Sequence, residues 1–365
     1  TSAGATTVAS GAAVQIDGTG LAIAEPFSIA GTGVSSGGAL RNLANSNSLT
    51  GGITLTGAAR INSDAGTLTI STNGITGAAQ NLTIGGAGNT AVSSAITTTT
   101  GTLTKDGGGN LTLSGTNTYT GTTTVSAAGS LILSNGSAIA DAGAVDLSVS
   151  GADLTLNASE TIGSLTGVSG TTVTLNANTL TAGDGTDKAY AGVIGGTGGV
   201  SKAGTGTWTL SGANTYTGKT SIQNGALSVS SLNSVTTPAP GTSSNLGVPS
   251  SIANGTIDLG STTTTGTLVY TGGGEVTDRV INLAGTTGGG TIDQSGAAGL
   301  LQFTSPLTAT VAGIKTLTLQ GSTTGTGEIA AAIVDSGGGA TALTKAGTGT
   351  WTLSGANTYT GTTTV

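Results

Sequence analysis

The amino-acid sequence predicts an all-β fold, a right-handed parallel β-helix of about 18 coils with roughly 20 residues each. Three observations predict it. Short runs alternate large apolar residues with Thr or Ser, the composition cannot fill an ordinary globular core, and one 17-residue phrase recurs at spacings that divide into coils.

The strands come first. "ITLTG" (53–57), "GTLTIS" (66–71), "NLTIGG" (81–86), "DLTLN" (153–157), "TVTLN" (172–176), "TIDLG" (256–260) and "TLTLQG" (316–321) each alternate and end in Gly, Asn or Ser. Alternation sends Leu, Ile and Val to one face of a strand and Thr to the other. No segment reads as a helix. "GEIAAAIVD" (327–335) lacks a polar face and sits between glycine runs, so a strand pair is expected there. Strands this short do not stabilise an isolated hairpin, and their one-sided apolar faces need stacking.

Composition points the same way. Apolar residues are 35%, aromatics 2% and charged residues 7%, while 67 positions are glycine. A narrow bore filled by aliphatic side chains explains the poverty in aromatics. Low charge and many β-branched residues argue against disorder. There is no Cys, His or Met, which excludes disulfides, thiol catalysis and thiolate zinc sites and removes the commonest general base. A cysteine-free chain suits export through an oxidising compartment. The net charge of -7 is thinly spread, and Lys188, Lys202 and Lys219 form a loose group instead of a basic patch. Nucleic acid is therefore not an expected partner. No run approaches the ~18 apolar residues of a membrane helix, and nine aromatics are too few for the girdles of a membrane barrel. No cofactor is expected.

The repeat supplies the geometry. Residues 202–218 read "KAGTGTWTLSGANTYTG", residues 345–361 are identical, and residues 105–121 differ at five places, including Leu111 where the others have Trp208 and Trp351. The three lysines stand 97 and 143 residues apart, which is five and seven coils of about 20 residues. Glycines and asparagines of the phrase are expected at corners that need positive φ. The corner residues are Gly115, Asn117, Tyr119 and Gly121, then Gly212, Asn214, Tyr216 and Gly218, then Gly355, Asn357, Tyr359 and Gly361. Leu111, Leu113, Trp208, Leu210, Trp351 and Leu353 alternate so as to face the core as a ladder.

"GTGTWTLSGANTYTGTTTV" resembles the passenger-associated repeat of bacterial autotransporters and large surface adhesins, at 103–125, 200–222 and 343–365. Intervening text such as residues 38–70 is similar to such passengers in a looser sense. The resemblance implies a right-handed β-helical passenger that is secreted and displayed at the bacterial cell surface. It implies a structural, non-catalytic segment that serves as spacer and as cell-contact or self-association surface, as in adhesion and biofilm formation. The repeat is associated in that family with efficient secretion and folding. The family's C-terminal membrane barrel is not in this sequence, so the export route is not shown.

Other motifs weigh less. Tyr216 as a sugar-stacking platform would make the alternative a carbohydrate-binding or carbohydrate-active β-helix, but a corner that satisfies its own backbone groups is the simpler reading. Asp184 and Asp187 in "GDGTDK" lack the recurrence of a calcium-binding β-roll. Asp146 and Asp153 are candidates for an acid–base pair, yet Arg41, Arg60 and Arg279 lie apart from them in sequence. "GGTGGV" (195–200) lacks the Lys-Ser/Thr ending of a phosphate loop. The "TTTT" runs (97–100, 262–265) suggest threonine rows without the regularity of an ice-binding face. Residues 232–255, with Pro238, Pro240 and Pro249, are expected to form a protruding loop. Catalytic and metal-binding residues are not expected.

One expectation concerns partners. Joining "TYTGTTTV" (358–365) to "TSAGATTV" (1–8) imitates the internal continuation after residue 125. Residues 1–365 are then one continuous β-helix, a fragment or one unit of a longer chain, with further copies end to end as its partners. Host or neighbouring cell surfaces and glycans are further candidate partners, and no part of the segment is expected to insert into a membrane.

Overall fold

The computed structural model describes residues 4–236, 241–322 and 325–365. The chain forms two compact units, Thr1–Thr174 and Leu175–Val365. Each is a parallel β-solenoid, and the described residues make about 16 turns. The turns are fewer than expected because some are longer. Leu111 registers with Leu131 at the expected advance, but Leu268 with Ile292 and Ile292 with Leu319 stand progressively further apart along the chain.

In the first unit every coil contributes up to three short strands, each paired in parallel with the same strand of the next coil. On one face the apolar residues Leu49, Ile70, Val92, Leu113, Leu133 and Leu156 stack in register. All six are 0 or 1% exposed. On another face the ladder runs Ile61, Ile84, Lys105, Val125 and Leu147. Stacking at about 4.8 Å per coil places each aliphatic side chain on an identical or similar one above and below. That burial stabilises the narrow core at roughly 25 cal/mol per Å². Outward positions carry the hydroxyls: Thr7, Ser28, Thr54, Thr76 and Thr97 form one row in register.

The second unit is built likewise. Trp208, Leu227, Leu268, Ile292, Leu319 and Lys345 occupy successive places in one inward ladder. Residues 327–335, expected as a strand pair, give one strand, Thr326–Ile329. The expected protruding loop at 232–255 is partly solenoid wall, because Leu232 and Leu246 are wholly buried. It also carries a four-residue helix, Ile252–Gly255, started by the Ser251 hydroxyl accepting from the Asn254 amide. The two prolines 238 and 240 lie outside the described residues, as do residues 1–3 of the expected tandem junction.

Candidate functional site

The repeated phrase folds identically in its essentials in all three copies, and each residue type has a separate physical reason. The glycines are the first correction. Gly115, Gly121, Gly212, Gly218, Gly355 and Gly361 are absent from the positive-φ residues, and so are the three asparagines. Space decides instead. A Cβ on Gly115, Gly212 or Gly355 would stand 2.2, 1.8 or 2.2 Å from the carbonyl oxygen of Ser94, Gly192 or Ala331 in the preceding coil. At Gly121, Gly218 and Gly361 the corresponding oxygens of Gly101, Gly198 and Thr341 lie 2.3, 2.3 and 2.4 Å away. The backbones of successive coils touch at these two points, and only glycine permits it.

Two residues beyond the first glycine, the asparagine bridges coils through its side chain. Asn117 Oδ1 accepts from the Ile96 amide of the preceding coil at 2.7 Å, while its Nδ2 donates to the Ala138 carbonyl of the following coil at 2.7 Å. Asn214 repeats this with the Ile194 amide (2.8 Å) and the Asn245 carbonyl (2.6 Å). Asn357 Oδ1 accepts from the Ile333 amide at 2.9 Å. The corner leaves these backbone groups unpaired by the strands, and one carboxamide supplies both missing partners.

The tyrosine then points inward. Tyr119 and Tyr216 are 0% exposed, and each hydroxyl meets a buried threonine four residues on, Thr123 or Thr220, at 2.7 Å. Tyr359 meets Thr363 at 2.8 Å. Burial raises the Tyr119 phenol well above its ordinary value and pushes Tyr216 up to about 12. No face of Tyr119 or Tyr216 is open to stack on a sugar. The ladder residues Leu111, Leu113, Trp208 and Leu210 are buried, while Trp351 and Leu353 are half-buried and the Trp351 indole N–H donates to the Gln320 carbonyl at 3.0 Å.

The lysine that opens each phrase is a functional part that the charge-based reading missed. Lys105 and Lys202 are 1% exposed and occupy core-facing places, between Ile84 and Val125 and between Ala182 and Ile222. Their stems pack among aliphatic neighbours and their ammonium groups turn onto backbone carbonyls. Lys202 donates to Gly204 at 2.9 Å, to Asn224 at 3.2 Å and to Ala203, and Lys345 donates to Ala346 and Gly347 at 2.7 and 2.8 Å. Burial lowers the Lys202 ammonium to about 8, with Asp184 and Asp187 opposing the shift. The signal was available in "LTK", "VSK" and "LTK", where lysine takes an apolar place in the alternation.

The acidic candidates are drawn to separate partners. Asp184 accepts from the Thr186 amide and hydroxyl, both at 2.7 Å, and Asp187 from the Thr207 amide at 2.8 Å. Asp146 is bound by Thr166 at 2.7 Å and Asp153 by Thr172, on different strands. Among the described residues no group of three or more acidic side chains is placed to hold a metal. Arg41 pairs with Asp64 at 2.7 Å and Arg60 with Asp106 at 2.5 Å, neither with Asp146 or Asp153. Arg60 reaches Asp106 across Gly85, where a Cβ would stand 1.8 Å from the carboxylate oxygen. Within 195–200, Gly198 is a stacking glycine, since its Cβ would meet the Asn178 carbonyl at 1.8 Å, whereas Gly196 has a φ of +119° that favours glycine. Among the described residues no helix is long and apolar enough to cross a membrane, which says nothing of a β-barrel.

The family model described as passenger-associated-transport-repeat matches residues 103–133, 200–229 and 343–365. These spans contain the lysine, both glycines, the asparagine and the tyrosine of each phrase. The chain is also similar to the adhesin BmaC autotransporter of Brucella suis biovar 1 (strain 1330), 34% identical over 286 residues. The match covers 72% of this chain and 8% of that protein. No solved structure matches.

Proposed function

From a chain of the autotransporter-passenger type, carrying three passenger-associated transport repeats, we propose a structural role at the bacterial surface. The segment is a non-catalytic stretch of a secreted adhesin that acts as a spacer and presents a contact surface to cells or to other copies of itself. One observation carries this reading. In the first two repeats the asparagine commits both polar atoms of its carboxamide to neighbouring coils and the tyrosine its hydroxyl to a threonine four residues on, and in the third Asn357 Oδ1 and the Tyr359 hydroxyl make the matching bonds. A corner occupied in this way sets coil register and has no group to offer a substrate. The name of the similar adhesin supports surface display, and the low content of charge and aromatics fits a long, inert wall.

End-to-end partnership with further copies belongs to the same proposal. It is supported by the identity of the phrase at 202–218 and 345–361, since one coil type then stacks on many neighbours. The test is binding of beads coated with the purified segment to cells and to segment-coated surfaces, alongside a glycan array and a turnover screen on polysaccharides. Adhesion or bead clustering with no glycan hydrolysis is expected. Turnover of any polysaccharide, or glycan binding abolished in Tyr216→Ala but kept in a variant of equal stability loss such as Leu227→Ala, would replace it with the carbohydrate reading.

A further inference from the structure

Residues 230–256 interrupt the regular coil. Val229 registers with Tyr270, roughly twice the advance along the chain from Trp208 to Leu227 or from Leu268 to Ile292. The two limbs of this insertion, 230–236 and 242–248, are closed on each other by side chains. Asn245 Oδ1 accepts from the amides of Ser230 and Ser231 at 2.8 and 3.1 Å. The Ser244 hydroxyl donates to the Leu232 carbonyl at 3.0 Å, and Asn233 Nδ2 donates to the Thr242 and Ser243 carbonyls at 3.1 and 2.9 Å.

The next coil grips this neck. Arg279 is 1% exposed, and its guanidinium donates to both limbs: Nε to the carbonyls of Leu232 and Asn233 at 2.8 and 3.0 Å, Nη2 to those of Leu246 and Gly247 at 3.0 and 3.4 Å. On the same coil Glu275 accepts from the Leu232 and Asn233 amides, and Asp278 from those of Val235 and Thr236. The returning limb also roofs the second repeat, where the Val248 amide donates to the Tyr216 carbonyl at 2.8 Å. The planar guanidinium reaches four acceptors on two chain segments at once, which an ammonium or an apolar side chain does not do. The insertion carries no charged residue between 230 and 256, so Arg279 and the two carboxylates supply the charged partners of its neck.

We propose that the two limbs 230–236 and 242–248 form a clasped neck, locked by Arg279, which opens as a unit while the strands Gly225–Val229 and Gly266–Tyr270 stay paired. The strands Gly225–Val229 and Gly266–Tyr270 pair directly along their whole length, so this face of the solenoid is continuous without the insertion, whose Leu232 and Leu246 are buried on another side. The clasp thus lets a coil of this passenger carry, close or release an extra segment, a conformational device separate from adhesion or spacing.

Hydrogen exchange on the whole chain tests this. In Arg279→Met, the amides of Leu232, Asn233, Val235, Thr236 and Val248 should exchange at least about tenfold faster and together, because one lost guanidinium frees four carbonyls. Amides of Gly225–Val229 and Gly266–Tyr270 should stay within about twofold of wild type. Arg279→Lys should restore protection to no more than one limb. Unchanged exchange in Arg279→Met, full protection of both limbs in Arg279→Lys, or equal acceleration of limbs and strands would each overturn the proposal. If Arg279→Met does not fold, native-state exchange of the wild-type chain in dilute urea decides: the two limbs must share one opening free energy, below that of the flanking strands.

Discussion

Replacing Asn117 with alanine tests the asparagine bridge most directly. The side chain is 3% exposed and makes two hydrogen bonds of 2.7 Å, one to the coil before and one to the coil after. Alanine fits the space but leaves the Ile96 amide and the Ala138 carbonyl without partners in a dry site. Each stranded backbone group costs about 1–3 kcal/mol, so the expected loss is about 2–5 kcal/mol. Asn357→Ala, whose side chain is exposed and supplies a single bond to Ile333, should lose only about 0.5–1.5 kcal/mol. The assay is urea unfolding followed by circular dichroism, with exchange of the Ile96 amide as the local readout. A loss under about 0.5 kcal/mol in Asn117→Ala, or equal losses at both sites, would show that the carboxamide does not hold the coils together.

Gly212→Ala drives a methyl to within 1.8 Å of the Gly192 oxygen. Because that neighbour is backbone, the expected cost is about 3 kcal/mol or more by thermal melting, whereas Gly108→Ala, with open space around it, should be near neutral. Tyr119→Phe removes a buried 2.7 Å bond to Thr123 and should cost about 1 kcal/mol in urea titrations. In the folded wild-type chain the Tyr119 phenol should resist ionisation at a pH where exposed tyrosines have titrated, read by ultraviolet absorbance.

Glu160 makes stability fall as pH rises. It is 2% exposed, and burial raises its carboxyl from 4.5 to about 7 despite the amides of Ile139 and Ala138 that bind it. The folded chain therefore holds this proton more tightly than the unfolded one. Its contribution is complete below about pH 4.5 and is lost as pH rises through 7, at most about 3 kcal/mol in total. Glu160→Gln should flatten that slope between pH 5 and 8, and an unchanged slope in the variant would assign it to another group.

The fold class was determined by the sequence alone, because its evidence is local. Strand alternation in "ITLTG" or "TLTLQG" needs only a period of two, and recurrence of the 17-residue phrase needs only an alignment of the chain with itself. Inward placement of Leu111, Trp208 and Leu210 follows from the same alternation. What the tertiary structure decided depends on groups from different coils. The glycines were read as turn formers, but their neighbours are carbonyl oxygens of the preceding coil, and no local pattern records that approach. In sequence Lys202 is one of a loose group of charges, and only the carbonyls at its own turn and at Asn224 show an inward ammonium with the partners it needs. Arg279 stood isolated in sequence, and its four acceptors lie 32–47 residues before it. In a solenoid, side-chain direction is set by neighbours along the strand, whereas partners are set by the length of the coil. That length more than doubles between the step from Trp208 to Leu227 and the step from Leu227 to Leu268, then contracts again toward Ile292. The stacking partners of any one residue therefore emerge only when the coils are wound.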